Sequence, residues 1–260
     1  MSEQNLIAKA NEIRGTRDTI ADVLARGSLR VLVEFGPPPS EGPPPEFYYD
    51  PDTGEATGVA CELGKMVAAD LGVEIEWIDI PWPEQLPALL AGKADLLPKH
   101  TNTSLRGMLV DFSVHRLQRI EVVMIAEKDG PIKSKKDLNS DKVSVVSWHG
   151  SSNIEVVHKL FPAANVIEDS RPWELLGSGG AQALITDCVT RAALEKFSKL
   201  DFVRDDKGQR ELLNLEYGYP AVFPGDTRFL NWLNNFMVYR WNDGTLKYWA
   251  ETWWNNWMAS

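Results

Sequence analysis

Polar and charged residues follow four predicted strands of this sequence, and their side chains have the chemistry needed to bind a small zwitterion. Open α/β sheets bind ligands at the carboxyl ends of their parallel strands, so residues that end different strands are expected to lie close together. The sequence therefore predicts one ligand-binding site built from several strands. Its candidate residues are Glu34, Lys99, His100, Thr101, Thr103, Arg106, Gly150, Ser151, Ser152 and Asp187.

The proposed chemistry divides between the two charges of a zwitterion. Arg106 has a planar guanidinium that can bind a carboxylate through two hydrogen bonds, and the hydroxyls of Thr101 and Ser152 can add donors. Asp187 can accept hydrogen bonds from an ammonium group, and the ring of Trp82 can cover the ligand. Taken singly, Arg106 is equally compatible with a surface ion pair and Asp187 with a helix N-cap.

Charge and composition narrow the classes of partner. The chain has 260 residues, with 27 Lys and Arg against 37 Asp and Glu, and a formal net charge of −10. This acidic balance argues against binding to nucleic acid or to anionic membranes, which both require a basic surface. The two cysteines can form at most one disulfide, so packing must hold the fold together.

Signatures of catalysis and of metal binding are absent from the sequence. There is no HExxH, GxSxG or Walker motif, so we expect no cofactor, no metal and no catalytic residue. The glycine-rich segment 177–180 follows a predicted helix rather than a strand, which favours a plain turn over a phosphate-binding loop.

Predicted strands and helices alternate along much of the chain, which indicates βαβ units, a parallel sheet and an α/β fold with two lobes. Glycines at positions 27 and 72 are expected to end the first two helices. The predicted strands are 29–34, 73–77, 95–97, 143–146 and 183–186, and the predicted helices are 19–25, 59–71, 86–90, 152–160 and 189–197.

Three other segments leave alternatives open. The proline-rich residues 36–45 are compatible with a linker or with a rigid loop over a cleft. Two apolar stripes near the C-terminus, at helical spacing, are expected either to pack onto a lobe or to form a partner-binding patch. Residues 1–26 contain no apolar run of signal-peptide length, which leaves open a cytoplasmic chain or a removed leader. The stripes are Phe229, Trp232, Leu233, Phe236 and Met237, followed by Leu246, Trp249, Trp253 and Trp257.

Several segments, in their order and spacing, resemble the family 3 extracellular solute-binding proteins, the polar-amino-acid receptors of ABC transporters. They are LRVLVE (29–34), TGEATGVACE (53–62), LPALLAGKAD (86–95), TSLR (103–106), DFS (111–113), TD (186–187) and DGTL (243–246). The resemblance extends from about residue 19 to the end. It implies a type II periplasmic binding protein fold, whose two lobes are joined by two hinge crossovers and close on the ligand like a clamshell.

Carried over to this chain, the resemblance implies an N-terminal helical lead over residues 1–27. Lobe one would then comprise residues 28–118 and 220–260. Lobe two, with the hinge crossovers, would comprise residues 119–219. The crossovers are expected near residues 117–119 and 218–219.

The same resemblance implies a role for most of the candidate residues. Arg106 and Thr101 would bind the ligand's α-carboxylate, and Asp187 would bind its α-amino group. The turn Gly150-Ser151-Ser152 would contribute from lobe two, Trp82 would cover the ligand, and Glu34 would meet its side chain.

This sequence departs from the family pattern at several positions. Lys99 and His100 stand where small or apolar residues are usual, and His115 and Arg116 replace a Pro-Tyr pair. A lysine beside the ammonium pocket would repel an α-amino group or neutralise Asp187, and it could instead select a ligand with an additional acid group. The alternative for Lys99 is a side chain turned to solvent.

The function implied by the resemblance is that of a monomeric periplasmic receptor, which binds an amino acid or a related small carboxylate and presents it to an ABC transporter permease. An enzyme related to the cyclohexadienyl dehydratases is the alternative. Glu34, Lys99 and His100 would be its candidates for acid and electrostatic roles, but lobe two offers no matching catalytic acid. A cytoplasmic sensor lobe is a third possibility.

Overall fold

The computed structural model describes residues 3–36, 46–249 and 251, and these residues divide into two compact units. Unit 1 comprises residues 3–36, 46–119 and the described residues from 217 onward, and unit 2 comprises residues 120–216. Residues 37–45 of the proline-rich segment, and Trp253 and Trp257 of the second C-terminal stripe, lie outside the described residues.

Unit 1 begins with two helices that are followed by alternating strands and helices. Its elements up to the first crossing into unit 2 are α1 (Glu3–Ile13), α2 (Thr19–Arg26), β1 (Ser28–Val33), β2 (Tyr48–Tyr49), β3 (Ala56–Thr57), α3 (Val59–Leu71), β4 (Glu74–Asp79), α4 (Trp82–Leu90), β5 (Leu96–Thr101), α5 (Arg106–Leu109) and β6 (Asp111–Phe112). As predicted, α2 and α3 each end at a glycine in the left-handed conformation, Gly27 (φ 79°) and Gly72 (φ 70°).

The chain enters unit 2 through β7 (Gln118–Glu127) and leaves it through β12 (Leu212–Val222). Between them lie a 3-10 helix (Lys135–Leu138), β8 (Ser144–Trp148), α6 (Asn153–Leu160), β9 (Asn165–Asp169), α7 (Pro172–Gly177), β10 (Ala183–Thr186), α8 (Arg191–Lys196) and β11 (Leu200–Phe202). After β12, unit 1 continues with α9 (Thr227–Asn242). The glycine-rich residues that follow α7 form a turn, as predicted.

Both units contain parallel pairs, but neither sheet is purely parallel. In unit 1, β1 pairs in parallel with β4 and β5, while β12 pairs with β5 in the antiparallel direction. In unit 2, β8 is parallel to β9 and β10, and β7 is antiparallel to β10. The α/β class is therefore confirmed and the prediction of a parallel sheet holds in part, because the long strands β7 and β12 add antiparallel neighbours.

Apolar packing holds each unit together. The first C-terminal stripe lies on α9, where Phe229, Leu233 and Met237 are completely buried in the core of unit 1. This confirms packing, rather than partner binding, for that stripe. Cys61 and Cys188 are not joined by a disulfide. Within the described residues, no helix has the length and apolar composition needed to cross a bilayer.

Candidate ligand-binding site

In unit 1, β5 positions three of the candidate residues within the strand rather than after it. The strand was predicted to end at residue 97, but antiparallel pairing of Thr101 with Gly218 and of His100 with Tyr219 continues it to Thr101. Lys99, His100 and Thr101 are only 2–4% exposed. The polar residues after position 97 led to a predicted end of β5 that is too early. The strand continues because β12, which is distant in sequence, supplies its hydrogen-bonding partners.

Lys99 is a buried cation with a specific partner. Its Nζ lies 2.6 Å from Oε1 of Glu46 and 5.3 Å from the centroid of the Trp82 ring. The alternative that Lys99 turns to solvent is therefore wrong. The stem of the lysine passes so close to Gly218 that a Cβ there would lie 2.8 Å from Lys99 Cγ. The absence of a side chain at Gly218 thus makes room for the buried lysine.

The Lys99–Glu46 pair changes the electrostatics expected around Lys99. A lysine without a counter-charge would repel an α-amino group, but the carboxylate of Glu46 compensates the charge of Lys99. An ion pair taken out of water requires such a partner, because an isolated buried charge is very costly. A ligand ammonium is therefore compatible with Lys99, and no additional acid group on the ligand is needed to compensate the charge of Lys99.

His100 stacks on Trp82 and is held in its neutral form. The two ring centroids are 4.1 Å apart and the rings are inclined by 16°. Burial, followed by the charges of Arg106 and Lys99, lowers the pKa of His100 well below 6.5, while the backbone of Thr101 acts in the opposite direction. The Nδ1 atom is buried and has no hydrogen-bond partner within the described part of the chain. A neutral imidazole nitrogen can accept or donate one further hydrogen bond.

Arg106 is buried and fixed in orientation. It is 8% exposed, its Nη1 donates to the carbonyl oxygen of Thr101 at 3.0 Å, and its backbone N–H donates to Oγ1 of Thr103 at 3.3 Å. The alternative of a surface ion pair is therefore wrong. Because the guanidinium cannot lose its charge, it is a fixed positive group at the end of β5.

Glu34 and Trp82 are joined at the start of α4. The carboxylate of Glu34 accepts a 2.9 Å hydrogen bond from the backbone N–H of Trp82. Partial loss of hydration raises the pKa of Glu34, and the charges of Asp79 and Glu46 act in the same direction, opposed by that hydrogen bond. The sequence predicted that this helix begins at residue 86, but α4 begins at Trp82. The earlier start includes Pro83, and proline is well tolerated in the first turn of a helix.

Unit 2 contains the remaining candidates, and here acidic and hydroxyl groups dominate. Ser152 Oγ donates to Glu216 at 2.7 Å, and Asp187 accepts from Asn153 Nδ2 at 3.0 Å. The N-cap of α8 is Thr190, so the alternative of Asp187 as a helix cap is wrong. The half-buried carboxylate of Asp187 is instead oriented by an amide.

The turn before α6 is shaped by glycine. Gly150 has a φ of 71°, and its N–H donates to Oε2 of Glu168 at 3.1 Å. A left-handed conformation of this kind favours glycine. The hydroxyl of Ser151 lies 3.2 Å from that of Ser147, which in turn donates to the carbonyl of Ile185. The turn is therefore tied to the strands β8 and β10.

Sequence reasoning missed three residues of these clusters: Glu46, Asn153 and Glu216. Asn153 directly follows the turn that was identified, so the signal for it was a polar residue in the first turn of α6. Its Oδ1 is buried and has no partner among the residues described. Glu46 and Glu216 had no comparable signal, because they lie 53 and 64 positions from their partners Lys99 and Ser152.

Over the described ranges, no group of three or more His, Cys, Asp and Glu side chains could hold a metal ion.

The sequence matches the family model of a known class of binding proteins. The chain matches the bacterial extracellular solute-binding proteins, family 3, over residues 39–256, and it belongs to that family.

Individual relatives are amino-acid-binding proteins by name. The L-cystine-binding protein TcyJ of Escherichia coli is 26% identical over 236 residues, which cover 89% of this chain and 84% of TcyJ. A probable amino-acid ABC transporter-binding protein of Haemophilus influenzae is 25% identical over 224 residues, which cover 82% of each chain.

A solved structure supports the same fold. The crystal structure of the ancestral amino acid-binding protein AncCDT-1, described as a precursor of cyclohexadienyl dehydratase, matches with a TM-score of 0.71 and 27% identity. The match covers 90% of this chain and 99% of that chain. The predicted fold class, that of the two-lobed periplasmic binding proteins, is thereby confirmed.

Proposed function

We propose that this protein is the solute-binding receptor of an amino-acid ABC transporter. The observation that carries the proposal is the buried guanidinium of Arg106, which is anchored on the carbonyl of Thr101 in a chain whose named relatives are amino-acid-binding proteins. A buried arginine of fixed orientation favours recognition of a carboxylate, since its planar fork matches the two carboxylate oxygens. By analogy with the family, the protein would work in the periplasm and deliver its ligand to a permease.

The ligand we propose is an amino acid in its zwitterionic form. Arg106 and Thr101 would bind the α-carboxylate, and Asp187 with Asn153 would bind the α-ammonium group. The pairing of Lys99 with Glu46 supports this choice, because the lysine charge is compensated within unit 1. That one ligand uses residues of both units, with closure of the lobes around it, follows from the family resemblance alone.

Ligand screening tests this proposal directly. The protein would be unfolded to remove bound ligand, refolded, and its melting temperature measured with each L-amino acid, with cystine and with small dicarboxylic acids. At least one amino acid is expected to raise the melting temperature, since a ligand that binds only the folded state stabilises it. The same ligand should give no increase with Arg106→Ala. If nothing in the panel stabilises the wild-type protein, the proposal is wrong.

Lobe closure and location require separate measurements. Small-angle scattering with and without saturating ligand should show a smaller radius of gyration with ligand, because closure shifts the population toward a compact state. Identical profiles would contradict closure. Cell fractionation in the source bacterium should place the protein with periplasmic markers, and recovery with cytoplasmic markers would favour a sensor role.

The dehydratase alternative has one observation in its favour, namely the match to a structure described as a precursor of cyclohexadienyl dehydratase. We propose that the present chain binds without catalysis. Incubation with prephenate should then produce no phenylpyruvate above the uncatalysed rate, measured by the absorbance of phenylpyruvate in alkali. Turnover that is lost with Glu34→Gln would reverse this assignment.

A further inference from the structure

A basic groove in unit 1, separate from the candidate ligand site, is lined by residues of the N-terminal helices. It has a volume of about 520 Å³, and α1, α2, β1, the end of α4 and Phe223 form its walls. Its charged residues are Lys9, Arg17, Asp22, Arg26 and Arg30. No candidate ligand residue is among the described residues that line it.

One buried carboxylate, that of Asp95, bonds to three of these cations. Asp95 is completely buried and accepts hydrogen bonds from the guanidinium groups of Arg17, Arg26 and Arg30. Its Oδ2 also accepts from the backbone N–H of Arg30 at 2.8 Å. The arginines are therefore fixed in position, and the single negative charge of Asp95 compensates only part of their positive charge.

The groove retains an excess of positive charge. Arg17 makes a second ion pair, with Asp22 at 3.3 Å, and the charge of Glu76 also acts on Arg30. Lys9, however, is half-buried and has no ion pair or side-chain hydrogen bond with any residue described. Four cations and the carboxylate of Asp22 thus line the groove, and the buried Asp95 bonds to three of the four cations, in a protein whose net charge is −10.

Arg26 and Arg30 also have N–H groups that do not bond to Asp95. Arg26 donates to Ser28 and Asp95, and Arg30 donates to Asp95, in each case through Nε and Nη2 atoms. In the described part of the chain, the Nη1 groups of Arg26 and Arg30 have no acceptor. Their side chains are 31% and 21% exposed, so a solute can reach them. Fixed guanidinium donors combined with a free ammonium match the oxygens of a tetrahedral anion.

We propose that this groove is a binding site for a small oxyanion of the phosphate class. Arg26 and Arg30 would donate hydrogen bonds to the oxygens of the anion. Lys9 would add a positive charge that neither Asp95 nor Asp22 compensates. The site is independent of the amino-acid site proposed above, because it uses none of the same side chains.

Calorimetric titration with inorganic phosphate, at constant ionic strength and with chloride as the control anion, tests the proposal. Phosphate is expected to bind the wild-type protein, and Lys9→Glu should weaken that binding by about tenfold or more, since a charge-assisted contact becomes a repulsion. The exposed Lys207→Glu provides the same charge change in unit 2 and should leave phosphate affinity unchanged. The melting temperature of Lys9→Glu should be close to that of Lys207→Glu, because Lys9 has no ion pair or side-chain hydrogen bond to lose among the described residues.

Three results would overturn the proposal. The first is the absence of phosphate binding by the wild-type protein. The second is equal affinity of Lys9→Glu and Lys207→Glu for phosphate. The third is loss of phosphate binding in Arg106→Ala with full binding in Lys9→Glu, which would assign the ion to the amino-acid site.

Discussion

The candidate residues of unit 1 and unit 2 differ in burial and in charge. In unit 1, Lys99, His100 and Arg106 are almost wholly buried and two of them are cations. In unit 2, Asp187 is half-buried, and the partner of Ser152 is another carboxylate, Glu216. The cationic group is thus rigid and desolvated, whereas the acidic group keeps contact with water.

We propose that this difference corresponds to different roles of the two units in ligand binding. Buried cations have lost most of their hydration, so each has a compensating group: Glu46 for Lys99 and the carbonyl of Thr101 for Arg106. A carboxylate that approaches Arg106 meets a charge that needs little reorganisation. Asp187, oriented by Asn153, offers an acceptor for an ammonium group.

The largest effect is expected from Arg106→Ala. Removal of a buried cation that binds a ligand carboxylate should weaken amino-acid binding by about 100- to 1000-fold. Calorimetric titration measures this loss, and Arg171→Ala, which removes an exposed arginine of unit 2, is the matched control. Retention of affinity within a factor of three would remove Arg106 from the site.

A smaller loss is expected from Asp187→Asn. The variant keeps the shape of the side chain but replaces a charge-assisted hydrogen bond to the ligand ammonium, so affinity should fall by about ten- to a hundredfold. The exposed Asp206→Asn controls for the change in net charge. If Asp187→Asn binds as tightly as Asp206→Asn, unit 2 does not recognise the ammonium through this carboxylate.

Glu46→Gln tests whether the carboxylate of Glu46 compensates the buried charge of Lys99, and the measured quantity is the stability of the folded protein. Loss of the carboxylate removes the 2.6 Å ion pair of the buried Lys99 with Glu46, and the free energy of unfolding should decrease by about 2–3 kcal/mol. Urea denaturation of the ligand-free protein measures it, and the exposed Glu55→Gln should change stability by less than about 0.5 kcal/mol. Equal stability of the two variants would show that Glu46 contributes little to holding Lys99.

The smallest effect concerns pH and His100. Because the folded pKa lies well below 6.5, only the unfolded state gains this proton just below pH 6.5, and the folded state loses stability as the pH falls. Between pH 6.5 and 5.5 the loss due to His100 should be about 1 kcal/mol. His100→Phe keeps a ring against Trp82 and should remove this part of the pH dependence.

The exposed His158→Gln serves as the control for that measurement. It should show the same decrease in stability between pH 6.5 and 5.5 as the wild-type protein. A wild-type slope in His100→Phe would mean that His100 is protonated in the folded protein.

Much of the fold could be predicted from the sequence because local signals decide it. Gly27 and Gly72 end helices since they adopt a left-handed conformation, and the apolar spacing of α9 corresponds to its buried face. The end of β5 could not be predicted in this way. Its continuation through Lys99 and His100 depends on pairing with β12, more than a hundred positions away.

In the candidate site, too, contacts between residues that are distant in sequence could not be predicted. Family motifs identified Arg106 and Asp187, but motif spacing carries no information on what compensates a buried charge. Glu46 pairs with Lys99 because the fold brings a loop residue to β5, and Glu216 meets Ser152 because β12 passes the start of α6. Both partners are acidic residues in stretches that have no recognisable motif.

The most direct test of the account compares one ligand with its two truncated forms. The amino acid that binds most tightly would be titrated alongside the amine that lacks its α-carboxylate and the acid that lacks its α-ammonium group. We expect each truncation to weaken binding by about 100-fold or more, because each leaves a fixed charged group of the protein without its partner. Affinity that survives either truncation within a factor of three would contradict recognition of the zwitterion.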